Sequence, residues 1–80
     1  MRIRILFFSV LRDVMNSSEM VYELQDSSSC EDLLNKLKAE YGVEDILNDS
    51  YLAKNGVYAY RDTLLMDGDE LAILPPARGE

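Results

Sequence analysis

The sequence predicts a single α+β domain, in which one main helix crosses one face of a mixed sheet. Three observations predict it. Short apolar runs with a period of two stand at both ends of the chain. One segment between them carries a full set of helix start and stop signals. The remaining apolar runs are short and are separated by turn-forming pairs, and 80 residues leave room for one domain only.

The first strand is "RIRILFF", which alternates and then becomes wholly apolar, as a central strand does. Ile3, Ile5 and Phe7 share one face, and Arg4, Leu6 and Phe8 the other. "SVLRDVMNSSE" is a turn-rich connection with space for one helical turn. "MVYEL" follows as a second strand, near enough in sequence to pair antiparallel with the first. In "SSSCEDLLNKLKAEYG", Ser29 is placed as N-cap, Asp32 completes a capping box and Gly42 is the stop. Leu33, Leu34, Leu37 and Tyr41 form the stripe to be buried, with Glu31, Asp32, Asn35 and Lys38 opposite. "VEDILNDSY" reads equally as a short helix or a loop. Asn55-Gly56 marks a hairpin turn, and Asp67-Gly68 a second turn that leads into a strand from Glu70 to Leu74. On that strand Leu71 and Ile73 point one way, Ala72 and Leu74 the other. Pro75 and Pro76 end it, because neither donates a ladder hydrogen bond.

Strand, strand, helix and then short strands, with a single helix covering one sheet face, is the order of a β-grasp, or ubiquitin-like, roll. The domain is expected to occupy residues 1–76, with 77–80 as a projecting C-terminal tail.

Composition narrows the chemistry. The chain has no histidine, the commonest general base and metal ligand, and a single cysteine, so neither a transition-metal site nor a disulfide framework is expected. Fifteen acidic residues against eight basic ones give a net charge of -7, which repels nucleic acid and anionic membranes and favours a basic protein surface. The opening "MRIRILFFSVL" has too short and too charged an apolar run for a signal peptide or membrane span, so a cytoplasmic protein is expected.

"RILFFSVLRD", "KNGVYAY" and "LMDGDELAILPPARG" together resemble the small subunits of molybdopterin synthase, a family of ubiquitin-like sulfur carriers. The likeness runs over essentially the whole chain, in order and with similar spacing. It implies a carrier that has no catalytic side chains and works through its own C-terminus. An adenylating enzyme of the ubiquitin-activating type would use ATP to activate the terminal carboxylate. Sulfur from a donor protein would then replace the nucleotide, and the larger synthase subunit would accept the resulting thiocarboxylate tail. No permanently bound cofactor is implied. The terminal carboxylate, of Gly79 or Glu80, is the implied reactive group, and Phe8, Tyr58, Leu74, Pro75, Pro76 and Arg78 are the implied partner-binding residues.

The tail is suited to such work on physical grounds. Consecutive prolines favour a stiff, extended segment, and a glycine beyond them threads a narrow channel with little steric demand. The family ends Gly-Gly, whereas here Glu80 follows Gly79. Its side chain adds bulk and a second negative charge beside the triphosphate, so poor activation is expected unless Glu80 is removed. Two rival readings stand beside the carrier. One is a carrier for thiamin or another pathway, whose members tend to be shorter and lack the Pro-Pro approach. The other is a ubiquitin-like binding module that is never adenylated.

Leu6, Phe8 and Leu74 fall on the sheet faces away from the helix, with Tyr58 or Tyr60 expected nearby. They form either an interface or a patch covered by the "VEDILNDSY" segment. Cys30 sits at the first turn of the helix, where the dipole could lower a thiol pKa, but no base accompanies it and it reads as incidental. Asp67, Asp69 and Glu70 read as turn chemistry rather than a cation site.

Overall fold

The computed structural model describes residues 1–76. Among them the elements run β1 (Arg2–Phe7), α1 (Val10–Met15), β2 (Glu19–Glu23), α2 (Cys30–Tyr41), α3 (Glu44–Asn48), β3 (Tyr51–Lys54), β4 (Val57–Ala59) and β5 (Glu70–Leu74). The strands form one five-stranded sheet in the order β2-β1-β5-β3-β4. β1 and β5 pair in parallel at its centre, and every other neighbouring pair is antiparallel. This is a β-grasp roll.

Local chemistry fixes the main helix. Ser29 Oγ accepts from the Asp32 N–H at 3.2 Å, and the Asp32 carboxylate accepts from the Ser29 N–H at 2.9 Å, so the capping box is complete. The next N–H groups at the helix start are met by the 61–63 turn: Cys30 N donates to Thr63 O and Glu31 N to Arg61 O. At the other end Gly42 takes the left-handed conformation and its N–H donates to Lys38 O. Leu33, Leu34 and Leu37 are buried in one cluster with Ile3, Ile5, Phe7, Leu71 and Ile73 from the two central strands. Each such side chain stabilises by about 1.5–3 kcal/mol through burial.

One expectation is corrected. Tyr41, placed on the buried stripe, is 47% exposed. It occupies the last turn, over the edge strand β2, where its hydroxyl reaches toward the Met20 sulfur and much of the ring stays open to solvent. Cys30, read as incidental, is fully buried, and that burial raises its thiol pKa, outweighing the pull of the Lys54 and Arg61 charges.

The ambiguous 43–51 segment resolves into α3, which buries Leu47, followed directly by β3. No described helix is long and apolar enough to cross a membrane.

Candidate functional site

The strand registers generate the sheet face that points away from α2. Across one row stand Glu19, Leu6, Ala72, Ala53 and Tyr58; across the next stand Leu74 and Tyr51. The first row is bulky at its flanks and small at its centre, so Ala72 and Ala53 form a shallow floor to which an incoming chain can come close. A third row at the far end carries Val21, Arg4 and Glu70. There Arg4 is held between Glu19, at 2.8 Å, and Glu70, at 3.1 Å. The open face is therefore ion-paired where β1 begins and apolar where β5 ends.

Among the sequence-predicted residues, Phe8 is 40% exposed, Tyr58 is 77% exposed and Leu74 is half-buried. Leu74 pairs with Tyr51, and Phe8 follows directly on the Phe7–Ile73 pair, so Phe8, Leu74 and Tyr51 gather at one end of the sheet. The 43–51 segment packs Leu47 into the core and leaves these side chains uncovered. Ser9 follows Phe8 with φ 56 and ψ -136, a conformation that strains a residue with a Cβ. This turns the chain out of β1 into α1 and leaves Phe8 at the rim.

Pro75 and Pro76 follow β5 at the same end, both half-buried. The root of the tail is thus tied to the central strand pair, between Phe8 on one side and Tyr51 on the other. Arg78, Gly79 and Glu80 lie outside the described residues.

Next to this root is a groove of about 540 Å³, lined by Ser50, Tyr51, Leu52, Tyr58, Ala59, Tyr60 and Arg61. The Arg61 Nη2 donates to the carbonyls of Leu47, at 3.0 Å, and Asn48, at 2.9 Å, closing the end of α3. Its role was not visible in the sequence, because those partners come from a segment whose structure was ambiguous there.

The acidic turn is consumed by its own structure. Asp67 accepts from the Arg2 N–H, Asp69 from Met66 N–H and Asn55 Nδ2, and Glu70 pairs with Arg4. Among the described residues no three His, Cys, Asp or Glu side chains come together as a metal site.

The sequence profile of the ThiS family matches residues 5–79, nearly the whole chain. The chain belongs to the ThiS family. The molybdopterin synthase sulfur carrier subunit of Chlamydomonas reinhardtii is 34% identical to this ThiS-family chain over 82 residues, covering 99% of each. The crystal structure of SAMP1 from Haloferax volcanii superposes on it with a TM-score of 0.87 at 20% identity, over 100% of both chains. A protein–protein complex of subunits 1 and 2 of the molybdopterin-converting factor from Helicobacter pylori contains a chain that superposes with a TM-score of 0.72 at 22% identity. At such identities the two structures share the fold of this ThiS-family member.

Proposed function

We propose that the protein is the sulfur-carrier small subunit of a molybdopterin synthase. The observation that carries this reading is likeness to a sulfur carrier subunit across 99% of both chains. The fold supports it, since β5 sits in the centre of the sheet and leads straight into Pro75 and Pro76 beside an uncovered apolar face.

The chemistry follows from the carboxylate. A carboxylate is a poor electrophile until one oxygen becomes a good leaving group. An adenylating enzyme would therefore let the tail carboxylate attack the α-phosphate of ATP, releasing pyrophosphate and forming an acyl-adenylate. A sulfide-level donor then displaces AMP and leaves a thiocarboxylate. A persulfide donor instead leaves an acyl disulfide, whose S–S bond a second thiol reduces to release the thiocarboxylate and form the donor's disulfide. Delivered into the large subunit, that sulfur is a nucleophile placed by geometry, and it is passed to a pyranopterin precursor. The chain's own side chains dock and orient. The apolar end of the open sheet face is the docking surface for the large subunit, with Phe8, Leu74 and Tyr58 as contacts, and the net charge of -7 favours encounter with basic partner surfaces. Gly79 is the last residue matched by the family profile and is the working end once Glu80 is removed. A single buried, unpaired thiol suits the reducing cytoplasm.

The test is the intact mass of the full chain before and after incubation with ATP, a sulfur donor and the adenylating enzyme. Replacement of one oxygen by sulfur at the C-terminus supports the carrier. An unchanged mass with large-subunit binding intact leaves a binding module that is never activated.

A further inference from the structure

Arg61 is anchored at both ends. Its carbonyl accepts from the Glu31 N–H at 2.8 Å, tying it to the first turn of α2, and its Nη2 holds the last carbonyls of α3. Its Nη1 is shielded from solvent and has no hydrogen-bond partner among the described residues. A guanidinium presents donors in a rigid fork matched to carboxylates, and an unpaired buried donor of this kind is destabilising until something accepts from it.

The surroundings select what that acceptor is. Arg61 is the one charged residue among those lining the groove; its neighbours are Tyr51, Tyr58, Tyr60, Leu52 and the small residues Ser50 and Ala59. The other basic side chain near the open face, Arg4, already has two carboxylates. Among the described residues near the open face this leaves Arg61 as the positive side chain without a carboxylate partner, walled by aromatic rings and continuous through Tyr51 and Tyr58 with the apolar end of the sheet.

We propose that this groove receives an aspartate or glutamate side chain of the protein that docks on the open face, making Arg61 a specificity-determining residue of that docking. The inference rests on the reading of the open face as the large-subunit surface. The acid enters between the tyrosines, whose exposed rings turn aside, and its oxygens accept from Nη1. The net negative charge of the body draws basic surfaces in general, whereas a carboxylate in this groove picks out one partner and one orientation.

The experiment is a double-mutant cycle between the full chain and its cognate large subunit. Arg61→Gln should weaken binding about tenfold to thirtyfold, the loss expected of a charge-assisted hydrogen bond. Arg61 also closes α3, so the second arm leaves this chain untouched: the partner's aspartates and glutamates are changed to amides one at a time. One of them should lose about tenfold against the wild-type chain and almost nothing against Arg61→Gln. If Phe8→Ala weakens binding but no partner carboxylate couples to Arg61, the groove proposal is wrong and the docking face stands. If neither Phe8→Ala nor Arg61→Gln changes binding, the docking reading itself is overturned.

Discussion

Asn55 and Asp69 lock together two turns that lie 14 residues apart. Asn55 Nδ2 donates to Asp69 Oδ1 at 2.9 Å, while Asn55 Oδ1 accepts from the Glu70 N–H at 2.9 Å. The β3–β4 hairpin turn is thereby fastened to the turn that launches β5, the strand that carries the tail. Asn55 also adopts φ 52, which asparagine and glycine tolerate better than other residues. Asn55→Ala loses both side-chain bonds and strains the backbone, so it should cost about 2–3 kcal/mol. Asn55→Gly keeps the backbone tolerance and should cost about 1–2 kcal/mol. Denaturant unfolding of the two variants separates the contributions, and equal losses would show that the backbone conformation contributes nothing.

Asp69 gives this junction a pH dependence. Burial alone would raise its carboxyl, but hydrogen bonds from Asn55 and the Met66 N–H, with Lys54 at 3.8 Å, hold it below the ordinary carboxylate value. A folded-state pKa below the unfolded one stabilises the fold above roughly pH 4, and that stabilisation is lost as pH falls through the folded value. Stability measured from about pH 4 downward should therefore fall more steeply for the wild-type chain than for Asp69→Asn. Parallel curves would mean that the carboxylate carries no such linkage.

What was legible in the sequence was local. Ser29, Asp32 and Gly42 act within one helix, and Asn55-Gly56 and Asp67-Gly68 set turns through their own backbone preferences, so all three could be placed without knowing the rest of the fold. Alternation in β1 and β5 separated Ile3, Ile5, Leu71 and Ile73 from Leu6, Ala72 and Leu74, whereas the parallel pairing of the two strands is set only once the elements have packed. The failures came from tertiary context. Periodicity put Tyr41 on the buried stripe, but it could not say that this turn lies over the edge strand β2, where the ring stays half open to solvent. The helix start at Cys30 offered a dipole that could lower its thiol, and the packed core, which the sequence does not show, raises it instead. Arg61 and the strained Ser9 carry no motif at all, since the carbonyls Arg61 meets and the bend Ser9 makes exist only once the elements have packed.

The open face predicts a contrast between its two ends. Phe8 is 40% exposed and Tyr58 77%, so truncating either to alanine should leave the unfolding midpoint little changed. Each should weaken large-subunit binding by about 1–2 kcal/mol, or roughly tenfold, if the apolar end is the contact. Val21 is also exposed, at 60%, but stands beside the Arg4 ion pairs. Val21→Ala should bind normally in the same calorimetric titration. A larger effect at Val21 than at Phe8 would relocate the interface.

Cys30 is the one side chain that a sulfur-transfer protein invites one to suspect, and its environment argues against the suspicion. Its thiol is buried and its pKa is raised, chiefly by loss of solvent. Iodoacetamide at neutral pH should leave the native chain unlabelled and label it on unfolding. Cys30→Ala should retain full sulfur loading at the C-terminus while losing about 1 kcal/mol of stability to the small cavity. Loss of loading in a folded Cys30→Ala chain would return the thiol to the pathway.

The tail separates folding from function most cleanly. The innermost side chain near the end of β5 is Ile73, fully buried, and the strand closes at Leu74, two residues before the described part of the chain ends. Removing residues 77–80 should therefore leave thermal stability within about 0.5 kcal/mol of the full chain. Sulfur loading, read as the mass gained with ATP, donor and adenylating enzyme, should vanish with them. Deleting Glu80 alone should act in the opposite direction. It removes a side chain and a second negative charge from the carboxylate that meets the ATP phosphates, and two like charges about 4 Å apart repel by roughly 1–4 kcal/mol, depending on how wet the site is. Initial loading should rise about tenfold, in keeping with the lower part of that range. Equal loading with and without Glu80 would show that the activating site accommodates the side chain and that its charge is not felt at the reacting carboxylate.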